Sequence, residues 1–139
     1  DNLIIITTAT KEPEVVGKEY KDIFKRLGVK KIEVLNINSR LQVNQPDIIE
    51  KIKEAKGLFF TGGDQLRITS ILGGSKLSQS IRQAYQQGKI IVGTSAGAAV
   101  MSKIMIVTGE NDEGPKNSCL KLALGLELIE NIIIDLKKI

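Results

Sequence analysis

Short blocks of apolar and β-branched residues alternate along this chain with longer stretches in which apolar positions recur every three or four residues. The first block, residues 3–8, is continuous, as expected of a strand covered on both faces. Thr10 and Pro13 behind it suit the cap and first turn of a helix. From Glu14 onward Val16, Tyr20, Ile23, Phe24 and Leu27 share one helical face, with charges between them and Gly28 as the stop. Residues 32–37 read as a second strand, and Asn44 and Pro46 open a second helix lined by Ile48, Ile49 and Ile52. A third strand at 57–61 runs into Gly62 and Gly63. The helix that follows carries Leu66, Ile68, Ile71 and Leu72 and ends at Gly73 and Gly74. A fourth helix holds Leu77, Ile81, Ala84 and Tyr85 inward and stops at Gly88. Residues 89–92 form the fourth strand, the small-residue segment 96–101 leads into another helix, and 132–135 read as a late strand.

Buried strands separated by amphipathic helices predict an α/β fold: a largely parallel sheet, crossover connections, and helices on both faces. No linker and no internal repeat divides the 139 residues, so a single domain over 1–139 is expected. The polar stretch 109–118 is the longest candidate loop, of the kind that often borders a site.

Composition narrows the function. At 42% hydrophobic residues there is enough apolar area for one core, while no apolar run approaches the roughly 18 residues of a membrane span. The net charge of +4 comes from Lys and Arg interleaved with Glu and Asp, which marks solvated helix faces. A basic stripe with stacking aromatics, the footprint of nucleic-acid binding, is missing. The one cysteine, Cys119, has no partner for an internal disulfide, and with no histidine in the sequence neither a metal site nor any other cofactor is expected. The sequence opens on Asp1-Asn2-Leu3-Ile4 without a basic leader, so a signal peptide is absent or already removed. A cytoplasmic protein is the expectation, and a secreted form is compatible with it.

The chemistry concentrates in two loops. Gly93-Thr94-Ser95-Ala96-Gly97 fits Gly-x-Ser-x-Gly and sits between a strand and a helix. In that setting the glycines permit a tight turn that lifts the serine hydroxyl above the sheet, and the Ala96 N–H is aimed at a developing oxyanion. The same glycines would also suit a turn that only packs closely, or a weak anion site at a helix N-terminus. Thr61-Gly62-Gly63-Asp64-Gln65 ends the preceding strand, which in a parallel sheet places it on the same edge as Ser95. The glycines there would let a second backbone N–H reach the oxyanion, and Gln65 would offer an amide to substrate. Asp64 either faces substrate or caps the next helix, and Arg67 reads as a surface or ion-pair residue.

Taken in order, Thr8-Ala9-Thr10-Lys11-Glu12-Pro13-Glu14-Val15-Val16-Gly17, Phe59-Phe60-Thr61-Gly62-Gly63-Asp64-Gln65-Leu66-Arg67 and Gly93-Thr94-Ser95-Ala96-Gly97-Ala98-Ala99-Val100-Met101 resemble successive blocks of the cyanophycinases. A fourth block runs from Gly109-Glu110 through Gly114-Pro115 to Leu124-Gly125-Leu126 and Ile132-Ile133-Ile134-Asp135, so the resemblance covers nearly the whole chain. It implies a class I glutamine amidotransferase-like fold and a serine peptidase of the family that also contains aspartyl dipeptidase. The implied substrate is cyanophycin, a poly-aspartate whose side chains carry arginine, cut into β-aspartyl-arginine dipeptides. By the same resemblance Ser95 is the nucleophile, Gly63 and Ala96 supply the oxyanion N–H groups, and Gln65, Asp64 and Asp135 hold the dipeptide unit. A carboxylate such as Asp135 suits a substrate bearing guanidinium groups.

The family pattern also places a catalytic histidine shortly after the aspartate that ends the late strand, an acidic partner later, and a further strand before Leu3. Here Asp135 is followed by Leu136-Lys137-Lys138-Ile139. A serine hydroxyl is a poor nucleophile until a base takes its proton, so the sequence is expected to be a piece of a longer enzyme, incomplete at both ends. Lys103 or Lys137 as a substitute base has no support in the spacing. The alternatives are a catalytically inactive relative that binds such peptides, and an aspartyl dipeptidase-like exopeptidase. A glutaminase is disfavoured because that group uses cysteine where this chain has Ser95. Expected partners are a peptide or cyanophycin substrate and, as a candidate assembly, a homodimer.

Overall fold

The computed structural model describes residues 2–107 and 121–136. Strand β1 (Asn2–Ile6) is followed by α1 (Pro13–Arg26), β2 (Lys31–Leu35), α2 (Pro46–Glu54) and β3 (Gly57–Phe60). Then come α3 (Gln65–Leu72), α4 (Lys76–Gln86), β4 (Ile90–Gly93) and a one-turn α5 (Ala96–Ala99). β1 to β4 form one parallel sheet in the order β2-β1-β3-β4. The chain moves outward from β1 to β2 and then crosses back to place β3 on β1's other side. The crevice beyond the carboxyl ends of β1 and β3 is thus a topological switch point, where open α/β sheets bind ligands. Register aligns Ile6 with Leu35 and Phe60, and Phe60 with Gly93, so the loops after β1, β3 and β4 emerge on one edge.

Side chains of successive strand residues alternate between faces. Ile4, Ile6, Leu58 and Phe60 enter a core with Ile52, Leu72, Leu77, Ile81 and Met105, on the side where α2 packs against α4. Phe59 points the other way, onto α1, with ring centroids 4.7 Å from Tyr20 and 5.1 Å from Phe24. Gly17 lets α1 settle onto the sheet, because a Cβ there would lie 2.7 Å from a Val34 methyl. Helices therefore cover both faces, as the alternation of apolar blocks implies.

Four features depart from the sequence reading. Residues 132–135, expected as a strand, pair with nothing among the described residues. A strand needs a hydrogen-bonding neighbour, and here Ile132 and Ile133 are half-exposed while only Ile134 packs against the core. A hairpin unforeseen in the sequence follows α5: β5 (Ile104–Val107) runs antiparallel to β6 (Lys121–Leu124). Thr10 does not cap α1; its hydroxyl accepts the Glu12 N–H at 3.1 Å within the approach turn. Asn44 caps the wrong helix by sequence logic, since its side-chain oxygen accepts the Lys76 N–H at the start of α4. The stretch 109–118, Cys119 and Lys137 lie outside the described residues.

Candidate active site

The turn at Ser95 follows from its glycines. A Cβ on Gly93 would fall 2.2 Å from the Gly97 carbonyl oxygen, and one on Gly97 would fall 2.3 Å from that of Phe60. Real Cβ atoms do not approach so closely, so both positions must be bare for α5 to start directly over the ends of β3 and β4. The chain turns from strand to helix within Thr94 and Ser95, which forces Ser95 to φ 53° and ψ −117°. A side chain at positive φ is uncommon, and such a conformation costs about 1–3 kcal/mol that surrounding structure must over-determine. Here the Thr94 and Ser95 carbonyls accept the N–H groups of Gly97, Ala98 and Ala99 at 2.9–3.0 Å.

Ser95 occupies the N-cap position of α5, yet its hydroxyl makes no cap. Ser75, at the corresponding place before α4, behaves in the ordinary way and accepts the Ser78 N–H at 3.1 Å. The strained turn at Ser95 rotates the hydroxyl away from that role and onto the exposed sheet edge. Gly62 lies against it: a Cβ added there would stand 3.3 Å from Ser95 Cβ and 3.9 Å from Oγ.

The Gly62–Gly63 turn is held by the loop after β1. Asp64 N–H donates to the Ala9 carbonyl at 2.9 Å, and Gly63, at φ 142°, has no room for a side chain, since a Cβ would meet the Ala9 oxygen at 2.1 Å. Among the described residues neither the Gly63 N–H nor the Ala96 N–H has a protein acceptor. Ala96 follows Ser95 directly, and Gly63 follows Gly62, the residue that lies against Ser95.

The remaining candidates divide. Asp64 is the N-cap of α3, its Oδ1 accepting the Leu66 N–H at 2.9 Å, so the capping role weighed in the sequence is the one seen. Gln65 begins α3 on the same edge, with its Nε2 donating to the Ile106 carbonyl of β5 at 3.2 Å. The hairpin thereby orients the amide, and Oε1 has no partner among the described residues. Arg67, read as a surface or ion-pair residue, is part-buried and forms no ion pair among the described residues; its Nε donates to the Thr8 carbonyl at 2.9 Å. Asp135 is exposed on chain that forms no strand and bonds to none of these residues; the expected strand that was to present it does not form. Lys103 is exposed, and among the described residues no side chain hydrogen-bonds to Ser95. No group of three or more His, Cys, Asp or Glu suited to a metal occurs among the described residues, and none of the described helices is long and apolar enough to cross a membrane.

A cavity of about 1460 Å³ opens at the switch point, lined by Ala9, Thr10 and Lys11 after β1, by Gly63 and Asp64 after β3, and by α3 with the start of α4 and residues 123–127. It reaches Gly63 but not Ser95 itself.

A parallel α/β sheet with a strained strand-turn-helix serine at its carboxyl edge defines a serine-hydrolase type of scaffold. The family model of peptidase family S51 matches residues 1–136, and the chain belongs to that family. It is 38% identical over 134 residues to a cyanophycinase of Geminocystis herdmanii, covering 96% of this chain and 49% of that protein. It is 39% identical to a cyanophycinase of Trichormus variabilis, covering 96% of this chain and 45% of that protein. Among solved structures, a peptidase from an acI-B1 Actinobacterium superposes with a TM-score of 0.73 at 29% identity, over 95% of this chain and 52% of that one. The likeness is consistent with the class I glutamine amidotransferase-like arrangement that the resemblance implied. The chain spans about half the length of the curated relatives it matches.

Proposed function

We propose that this chain carries the nucleophile half of a serine peptidase of the cyanophycinase type, hydrolysing cyanophycin to β-aspartyl-arginine dipeptides. What supports the reading most is Ser95: an exposed hydroxyl released from helix capping by a strained turn, in a chain of this peptidase family. Ser95 Oγ attacks the scissile carbonyl, and the carbonyl oxygen becomes an oxyanion that accepts from the N–H groups of Gly63 and Ala96. Removing one such donor from an enzyme costs on the order of 100- to 1000-fold in kcat, which is why both glycine-dependent turns matter. Gln65 and Asp64 border the bound unit from the start of α3, with Asp135 as a further contact to its guanidinium.

Attack requires a proton acceptor, and the sequence holds no histidine. The base is therefore assigned to polypeptide outside these 139 residues. The test uses the full gene product with purified cyanophycin, following release of dipeptide by mass spectrometry. Dipeptide release that disappears in Ser95→Ala carries the reading; no release by the wild-type protein refutes it.

A further inference from the structure

The switch-point cavity contains more basic than acidic groups. Its lining includes Lys11, Arg40, Arg67 and Arg82 against Asp64 and Glu127. Both acids are already engaged, Asp64 as the α3 cap and Glu127 with Arg82 at 3.6 Å. Arg40 is turned to the C-terminal end of α3, where it donates to the carbonyls of Ile71 and Gly73. Arg67 differs from these. Its Nε is tied to Thr8 in the loop after β1, which fixes the plane of the guanidinium, and its two terminal NH2 groups meet no acceptor among the described residues.

A guanidinium anchored by one edge presents the other as a ready fork for a planar anion with two oxygens. We infer that Arg67 is a specificity-determining residue that receives a carboxylate of the peptide substrate, on the unit beside the one being cleaved. This rests on the proposed peptidase reading, and two features of the cavity support it. The cavity that Arg67 lines is also lined by Gly63 and Asp64 of the turn before α3, so it continues from the site rather than standing apart from it. The volume, about 1460 Å³, exceeds the roughly 300–1,000 Å³ of a small-molecule pocket, which suits several units of an extended chain. Each arginine-bearing unit of the proposed polymer carries one free carboxylate for such a fork.

The test is binding of fluorescent β-aspartyl-arginine oligomers to the full gene product carrying Ser95→Ala, followed by anisotropy. One oligomer has free arginine carboxylates and its twin has them as primary amides. The free-acid oligomer is expected to bind at least about tenfold more tightly, the scale of a charge-assisted hydrogen bond. Adding Arg67→Gln should remove that preference, and Arg67→Lys, which keeps the charge but not the fork, should restore only part of it. Loss of the Thr8 contact would weaken both oligomers alike, so an equal drop for both overturns the inference, as does absence of any preference or of binding in Ser95→Ala. Failure of the peptidase reading would show separately, as a wild-type protein that keeps the preference and cleaves neither oligomer.

Discussion

Gly97→Ala separates the packing of the serine turn from its chemistry. In a helix, alanine is favoured over glycine by about 1 kcal/mol, so on propensity alone the change would stabilise α5. The new Cβ would however lie 2.3 Å from the Phe60 carbonyl oxygen and 2.8 Å from the Phe60 carbonyl carbon and Cβ, where ordinary contact begins at 3.4 Å. These atoms belong to the central strand β3, buried on both faces, and α5 must retreat by about 1 Å to restore contact. Overpacking of this kind costs about 1–3 kcal/mol, which exceeds the propensity gain through most of its range. A net loss of up to about 2 kcal/mol corresponds to a melting point lower by up to roughly 8 °C. Because α5 carries the Ala96 N–H and the Ser95 backbone with it, hydrolysis should fall further than stability, on the order of 100-fold for a 1 Å displacement. Gly57→Ala is the control: it sits in the same strand, and its added Cβ would make only ordinary 3.5 Å contacts. Thermal denaturation and cyanophycin turnover of the full gene product, run for both variants, decide the matter. Equal melting points and equal rates for Gly97→Ala and wild type would refute the close approach of α5 to β3.

Gly63→Ala should be at least as harmful, since φ is 142° and the Cβ would meet the Ala9 oxygen at 2.1 Å; a circular-dichroism melt unchanged from wild type would contradict the packing. Gln65→Ala should raise KM more than it lowers kcat, read from initial rates over a range of substrate concentrations. Lys51 and Glu33 form an ion pair at 2.5 Å on a partly exposed surface, and the side-chain hydrogen bond and charge of Glu33 raise the Lys51 pKa above 10.5. The pair's contribution, under about 1 kcal/mol, is thus complete below pH 10.5 and is lost as pH rises through the higher folded value. Urea denaturation should show Lys51→Gln less stable than wild type at pH 8, with the gap closing as the pH passes 10.5; a gap independent of pH would contradict the assignment.

The parallel sheet was legible because its strands are apolar on both faces and its helices have one apolar side, patterns that local sequence sets. The Ser95 turn was legible for a related reason: Gly93 and Gly97 bracket it, and only glycine satisfies the contacts found there. The β5–β6 hairpin was not, because Ile104–Val107 is a short apolar run whose antiparallel partner begins beyond the polar stretch 109–118. Residues 132–135 failed in the opposite sense, since three isoleucines favour a strand only when a neighbouring strand can pair with them. Asn44 and Thr10 misled because a capping side chain takes whichever N–H the tertiary fold brings to it. The orientation of Arg67 depends on the Thr8 carbonyl, distant in sequence, and no local pattern announces it.

The most direct measurement of the central claim is covalent labelling of the full gene product with a serine-directed fluorophosphonate, followed by proteolysis and mass spectrometry. The account predicts a single adduct on the peptide containing Ser95, with hydrolysis lost in proportion to labelling. A protein that loses cyanophycin hydrolysis while the adduct lies on a different residue would contradict it.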